Sequence, residues 1–244
     1  MSTVGGGPTR HSSQNVEELG NFHNSLAFPF AFFFDLPPWR MNALLQLSTS
    51  FILASQSPRR QALLDRIGVP FQVQVSPAGE ALVDPEPPSA AVQTLAQRKV
   101  RPVAAEHPSA LVLAADTVVT HDGEILNKPE DPPHAREMLR RLSGTAHTIY
   151  TGIALAQAAT EREATAVEGT DVGLAPLSDA EIRAYVESGS PMDKAGGYGI
   201  QDHTAPFFVE RIEGDYYNVV GLPLRCLYQT LRREFDDLLS DASV

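Results

Sequence analysis

The chain has 244 residues, 43% of them hydrophobic, with 30 acidic against 19 basic side chains and a formal net charge of −11. That length fits one large α/β domain or two small ones. The charge excludes binding to a nucleic-acid backbone by bulk attraction, but not a small phosphorylated ligand held by a local cluster of Lys and Arg. One cysteine, Cys226, excludes an intramolecular disulfide framework and fits a reducing cytoplasm.

Met1 to Asn24 is rich in Gly, Ser, Asn and His, shows no sustained periodicity and reads as disordered. The apolar stretch Leu26 to Leu36, with Phe30, Phe32, Phe33 and Phe34, is too short to span a membrane and is broken by Pro29. It lacks the basic start and small-residue cleavage site of a secretion signal. Met41 opens a fresh stretch after Pro37-Pro38-Trp39. Either translation starts at Met41, or the aromatic cluster is a docking peptide. The expected organisation is a poorly ordered extension over 1–50, a folded domain over 51–235, and an acidic tail over 236–244 that frays.

From Phe51 onward strand and helix signals alternate, which implies a single α/β unit. Phe51 to Ala54 reads as a buried strand, followed by a helix through Gln61 to Ile67 with Pro58 in its first turn. Phe71 to Val75 alternates like a half-buried strand. Ser89 to Ala105 reads as a long helix with Val92, Leu95, Ala96 and Val100 on its apolar face, Lys99 on its polar side, and a kink site at Pro102. Leu111 to Ala115 is an apolar strand that stops at Asp116. A helix starts at Asp131-Pro132-Pro133 and ends at Gly144. Strands follow over His147 to Ala156 and Glu163 to Gly173. Ser178 caps a short helix closing near Gly189. The glycine-rich loop from Ala195 to Gly199 precedes a strand over Phe207 to Ile212, and the last helix runs from about Leu222 to Phe235.

Chemistry concentrates at a few points. Ser55-Gln56-Ser57-Pro58-Arg59-Arg60 stands where strand turns to helix, and free N–H groups there favour a phosphate. Arg adds a planar fork for phosphate oxygens. A plain serine cap followed by solvated arginines is the competing reading. Asp116, at the edge of a buried strand, could hold a cation, orient water or accept a proton, or else bond its own turn. Lys99, Lys128 and Glu80 carry little weight singly, whereas Asp193-Lys194 with the following glycines and Gln201 forms a denser polar cluster. The seven histidines show no metal-ligand spacing, no Walker A or dinucleotide fingerprint occurs, and Ser55 and Ser57 have no recognisable base partner. Cys226 reads as a buried small hydrophobe.

The order of these blocks is specific. Leu53-Ala54-Ser55-Gln56-Ser57-Pro58-Arg59-Arg60 is followed by Leu95-Ala96 with Lys99, then Ala115-Asp116-Thr117-Val118-Val119 and Asn127-Lys128-Pro129. Leu142-Ser143-Gly144 with His147 and Tyr150-Thr151-Gly152 come next, then Asp193-Lys194-Ala195-Gly196 through Gln201, and Tyr217 to Leu224. From Phe51 to Arg233 the chain resembles the Maf family of nucleoside triphosphate pyrophosphatases. The resemblance implies a mixed, twisted α/β sheet flanked by helices with a deep central cleft, like that of the inosine triphosphate pyrophosphatases. It implies hydrolysis between the α and β phosphates, giving a nucleoside monophosphate and pyrophosphate, with Mg²⁺ or Mn²⁺. By the same resemblance Asp116 is the proton acceptor, and Asp116 and Glu80 hold the metal. Ser55, Arg59, Arg60, Lys99, Lys128, Thr117 and Gln201 bind substrate. Loop alignment at Glu80 is ambiguous because Asp84 and Glu86 lie nearby.

The block from Asp193 to Gln201 resembles the branch acting on dTTP and UTP, in which Arg59, Thr117 and Gln201 match positions tied to base selection. A Gln amide offers both a donor and an acceptor to the O4/N3–H edge of thymine or uracil. The expected partners are a nucleoside triphosphate and, as an option, a second copy in a homodimer, with no nucleic-acid polymer and no membrane. Removal of modified nucleotides and a link to division arrest are the expected purposes. Three rivals remain: a 7-methyl-GTP pyrophosphatase, a non-enzymatic regulator of cell division, and a nucleotide sensor without turnover.

Overall fold

The computed structural model describes residues 45–79 and 86–239. The leader expectations for residues 1–44, including both readings of Met41, and Glu80 lie outside the described residues.

Apolar and β-branched runs build the sheet. β1 (Phe51–Leu53) pairs in parallel with β2 (Gln72–Val73) on one side and β3 (Leu111–His121) on the other. β3 then runs antiparallel to β5 (Ala146–Gln157), β5 to β6 (Arg162–Leu174), and β6 to β7 (Val209–Glu213). β4 (Glu124–Leu126) folds back on the end of β3 through Val119, Thr120 and His121. The result is a seven-stranded mixed sheet.

β3, β5 and β6 have 11 to 13 residues, about 40 Å of extended chain. Such length carries separate cores along one ribbon. On one face of the first half, α1 (Pro58–Arg66) and α7 (Leu224–Glu234) cover Leu53, Leu111, Leu113 and Ala115 with Leu63, Leu64, Leu227 and Leu231. On the opposite face, α2 (Pro88–Glu106) covers Ile52, Val112, Ala114 and Ala154 with Ala96, Val100 and Val103. The period-2 alternation of β3 sends its odd residues to α1 and α7 and its even residues to α2. At the other end, α3 (Pro132–Leu142) and α4 (Asp179–Glu187) build a third core with Leu139, Leu142, Ile182 and Tyr185 around Val119, Ile149 and Val172.

Local chemistry sets several boundaries as expected. Pro58 opens α1 and Asp131 caps α3 by accepting from the His134 N–H at 2.7 Å. Gly144 follows α3 at φ +69°, a left-handed value suited to glycine. Ser178 and Glu181 cap α4 reciprocally.

Other expectations are corrected. β3 does not stop at Asp116 but continues five residues, because the β-branched run after it pairs with both β5 and β4. Lys99 is buried on the apolar face of α2, not on its polar side. β2 is a two-residue strand with exposed side chains, including Val73, so the alternation there marks an edge rather than a half-buried strand. The strand expected from Phe207 begins at Val209, after α5 (Ala205–Phe208). The turn before α7 holds an unexpected α6 (Tyr216–Val220), capped by Asp215 through the Tyr217 N–H.

Packing also reaches beyond the expected 51–235 span. Leu45 is buried, Ser48 donates its backbone N–H to Leu238 O, and Leu47 bridges to Leu239. Cys226 is buried in the α7 core, where burial pushes its thiol above the usual range.

Candidate active site

The edge of β3 that faces β1 is paired at both ends and not between. β1 ends its pairing at Leu113 and β4 begins at Val119, while β5 occupies the opposite edge through this whole stretch. Asp116 is the middle residue of the gap. A cleft of about 1020 Å³ opens there. The strand-to-helix turn at Ser55–Arg60, the face of β3, the Asn127-Lys128 segment and the 193–202 loop line it. Ser55, Arg59, Arg60, Lys99, Asp116, Thr117, Lys128 and Gln201, expected from widely separated blocks, all reach this one cleft. Glu80 is not among the described residues; Gly79, next to it, also lines the cleft.

The two faces of β3 deliver different partners. Asp116 faces α2, where Lys99 Nζ lies 2.6 Å from its Oδ1, and both side chains are nearly buried. α2 can come this close because β5 carries Gly152 opposite Asp116. A Cβ on Gly152 would stand 2.5 Å from the Val92 carbonyl, and Val92 lies two turns before Lys99 on the same helix face. A small residue on the sheet therefore sets the height of the lysine.

Thr117 faces α1. Arg60 spreads its guanidinium over three acceptors: Gly221 O at 2.8 Å, Ser55 Oγ at 3.2 Å and Thr117 Oγ1 at 3.1 Å. Arg60 is thus no solvated surface group, and the plain-cap reading fails for it. Ser57 stands at the cap position without a side-chain cap bond. Ser55 Oγ instead accepts from the Ser57 N–H at 3.2 Å as well as from Arg60. Both of its lone pairs are engaged, so its hydrogen is left to donate into the cleft.

Arg59 reaches across the opening to Asp193 at 2.9 Å. Burial works against the charged form of Asp193, but hydrogen bonds from Lys194 and Arg59 outweigh it and hold the carboxyl below its usual range. Lys194 donates to Ser190 O at 2.5 Å, Asp193 Oδ1 at 2.7 Å and Ser190 Oγ at 3.4 Å, and forms a longer ion pair with Asp202 Oδ1 at 3.6 Å. Its three hydrogens are matched, so it ties down the loop rather than serving a ligand. Tyr185 donates to Asp202 and accepts the Gly199 N–H; burial first, then that carboxylate, keeps its phenol protonated. A Cβ on Gly199 would meet Lys194 Cε at 2.5 Å, so a side chain there would have to displace the lysine. Gln201 follows this anchored turn and is exposed on the cleft.

Sequence reasoning missed the residues behind the cleft. Tyr185, and Asp202 which it holds at the cleft wall, gave no signal beyond ordinary helix and loop character. Thr151 and Asn218 were visible only as members of ordered blocks. Both are fully buried.

Among the described residues lining the cleft, five are cationic (Arg59, Arg60, Lys99, Lys128, Lys194) against three acidic (Asp116, Asp193, Asp202). The local balance is positive in a chain of net charge −11, an arrangement that raises the local concentration of a small anion. Among the described residues no three His, Cys, Asp or Glu side chains converge as a ready metal cage, and no helix is long and apolar enough to cross a membrane.

The sequence model of the family described as Maf-like protein matches residues 50–234. A protein of Salinibacter ruber, named dTTP/UTP pyrophosphatase, is 73% identical over 203 residues, covering 83% of this chain and 100% of its own length. Proteins of the same name from Symbiobacterium thermophilum and Bacillus cytotoxicus are 51% and 46% identical, covering 74% and 79% of this chain and 91% and 98% of their own.

Proposed function

This chain belongs to the Maf family, and we propose that it hydrolyses dTTP and UTP to the nucleoside monophosphate and pyrophosphate. The names of its relatives support the substrates. The observation that carries the chemistry is the convergence on neighbouring residues of β3: Lys99 on Asp116 from one face and Arg60 on Thr117 from the other, at a gap in the sheet edge.

A triphosphate brings about four negative charges, which in this acidic protein need a local cationic cradle. Arg59, Arg60, Lys99 and Lys128 supply it, and the Ser55 hydroxyl donates to a phosphate oxygen. Lys99 fixes the Asp116 carboxylate through Oδ1. The other oxygen, Oδ2, has no hydrogen-bond partner among the described residues and takes a proton from water attacking the α phosphorus. As the new P–O bond forms, the bond from the α phosphorus to the bridging oxygen breaks. Its electron pair leaves with pyrophosphate. Gln201 offers a donor and an acceptor to the pyrimidine edge.

A hard divalent cation commonly rests on one or two carboxylates plus substrate oxygens and water, and the cleft-facing Asp116, apart from the Asp193 and Asp202 carboxylates engaged by Lys194, fits that donor set. Asp116, with Glu80 as the second carboxylate, would hold Mg²⁺ or Mn²⁺. Such an ion supplies neutralisation of the charge that develops on the leaving phosphates.

The test is pyrophosphate release from dTTP, UTP, CTP and 7-methyl-GTP by the purified chain, with and without Mg²⁺ or Mn²⁺. Preference for dTTP and UTP supports the reading. Preference for 7-methyl-GTP assigns the protein to that rival, and tight binding without release assigns it to a sensor.

A further inference from the structure

Behind the cleft, a file of hydrogen bonds has only one consistent direction. Thr151 Oγ1 lies 3.1 Å from the backbone oxygen of Asn218 and 2.9 Å from Thr117 Oγ1. A carbonyl only accepts, and a threonine hydroxyl has one hydrogen. The Thr151 hydrogen therefore goes to Asn218 O, so Thr117 must give its own hydrogen to Thr151. Arg60 Nη2, which only donates, then bonds to one lone pair of Thr117 Oγ1. The file runs from Arg60 through Thr117 and Thr151 to Asn218, and every hydroxyl in it has its rotation fixed. Asn218 is held in turn: its Nδ2 donates to Ile149 O at 2.9 Å and to Thr170 Oγ1 at 2.9 Å.

Neither Thr151 nor Asn218 lines the cleft, and both are fully buried. We propose that Thr151, anchored by the Asn218 carbonyl, is a positioning residue: it holds the Thr117 hydroxyl as a hydrogen-bond acceptor and so fixes the Arg60 fork for the triphosphate. Thr117 then presents the cleft with a lone pair and no hydrogen, the opposite polarity to Ser55. This inference rests on the pyrophosphatase reading for its substrate, but its geometry does not.

A purely structural threonine and a positioning hydroxyl make opposite forecasts. In the middle of a buried strand, Thr151→Val keeps shape and β-branching, whereas Thr151→Ser keeps the hydroxyl and loses a methyl. The expected result is kcat/KM for UTP near the unaltered value in T151S and at least tenfold lower in T151V, both read well below either melting temperature, because T151V leaves the Asn218 carbonyl and the Thr117 hydrogen unpaired and is expected to melt somewhat lower. Should T151V fail to fold, Thr151→Ala replaces it against the same serine variant. Calorimetric binding of inorganic tripolyphosphate gives the same order without requiring turnover. Nucleotides left intact by the unaltered protein would sink the pyrophosphatase reading alone, because the tripolyphosphate order still judges the positioning role. Equal tripolyphosphate affinity in T151V and the unaltered protein would overturn the inference.

Discussion

Lys99 Nζ lies 2.6 Å from Asp116 Oδ1, an ion pair between a helix and the central strand with both side chains about nine-tenths buried. Breaking such a pair from one side leaves an uncompensated charge, whereas replacing both partners with apolar groups is often neutral. Lys99→Met is therefore expected to cost about 3 kcal/mol of stability and nearly all turnover. The double variant Lys99→Met/Asp116→Leu should recover most of the stability and none of the turnover. Denaturant melts beside pyrophosphate assays check this; recovery of both together would mean that the pair acts on the fold alone.

Gly152 governs how closely α2 approaches the sheet. Gly152→Ala would press a methyl against the Val92 backbone, and backbone cannot swing aside as a side chain can. A loss of about 1–3 kcal/mol is expected, with turnover reduced more than tenfold as Lys99 is lifted from Asp116. Unchanged melting and activity would show that α2 is free to shift.

Gly199 makes a contrasting case, because its neighbour is the flexible end of Lys194. Gly199→Ala should evict that side chain from Ser190 and Asp202 while leaving the fold nearly as stable. The loop that carries Gln201 then loosens, and KM for UTP should rise several-fold with kcat less affected. A normal KM would separate the loop anchor from substrate binding.

His147 is buried against Tyr198, with Nε2 2.7 Å from the phenol oxygen, and its pKa falls from 6.5 to about 4. Burial is the main cause, and His121 nearby adds to it while Asp171 opposes. As pH falls from about 6.5 to 4 the unfolded chain takes up a proton that the folded one refuses. Stability should decline across that window, by about 3 kcal/mol at its acid end. Thermal melts from pH 7 to 4.5 should show a shallower decline in His147→Gln than in the unaltered chain; parallel declines would assign the acid sensitivity elsewhere.

The sheet was legible where apolar runs were long, and the helices where Pro, Ser and Asp marked their starts. Asp116 was misread as a stop because a carboxylate inside a buried strand is costly without a partner, and that partner, Lys99, is 17 residues away on a helix. Lys99 looked solvent-facing for the matching reason: a lysine on an apolar helix face is tolerated only where a carboxylate meets it. The candidate residues themselves were found through their order along the chain. Their geometry was not, since the gap between β1 and β4 and the close pass at Gly152 are properties of pairing rather than of any local run. The Thr151 file was invisible because a threonine in a strand carries no sign of what its hydroxyl meets.

Product identification from UTP, with the unaltered protein beside Asp116→Asn, bears on the central claim most directly. The asparagine oxygen can still accept from Lys99, so the fold should persist while the proton acceptor is lost. UMP and pyrophosphate are expected from the unaltered protein, with at least a hundredfold loss of rate in the variant at similar melting temperature. Formation of UDP and orthophosphate, or near-normal UMP release by Asp116→Asn, would contradict the mechanism built around this carboxylate.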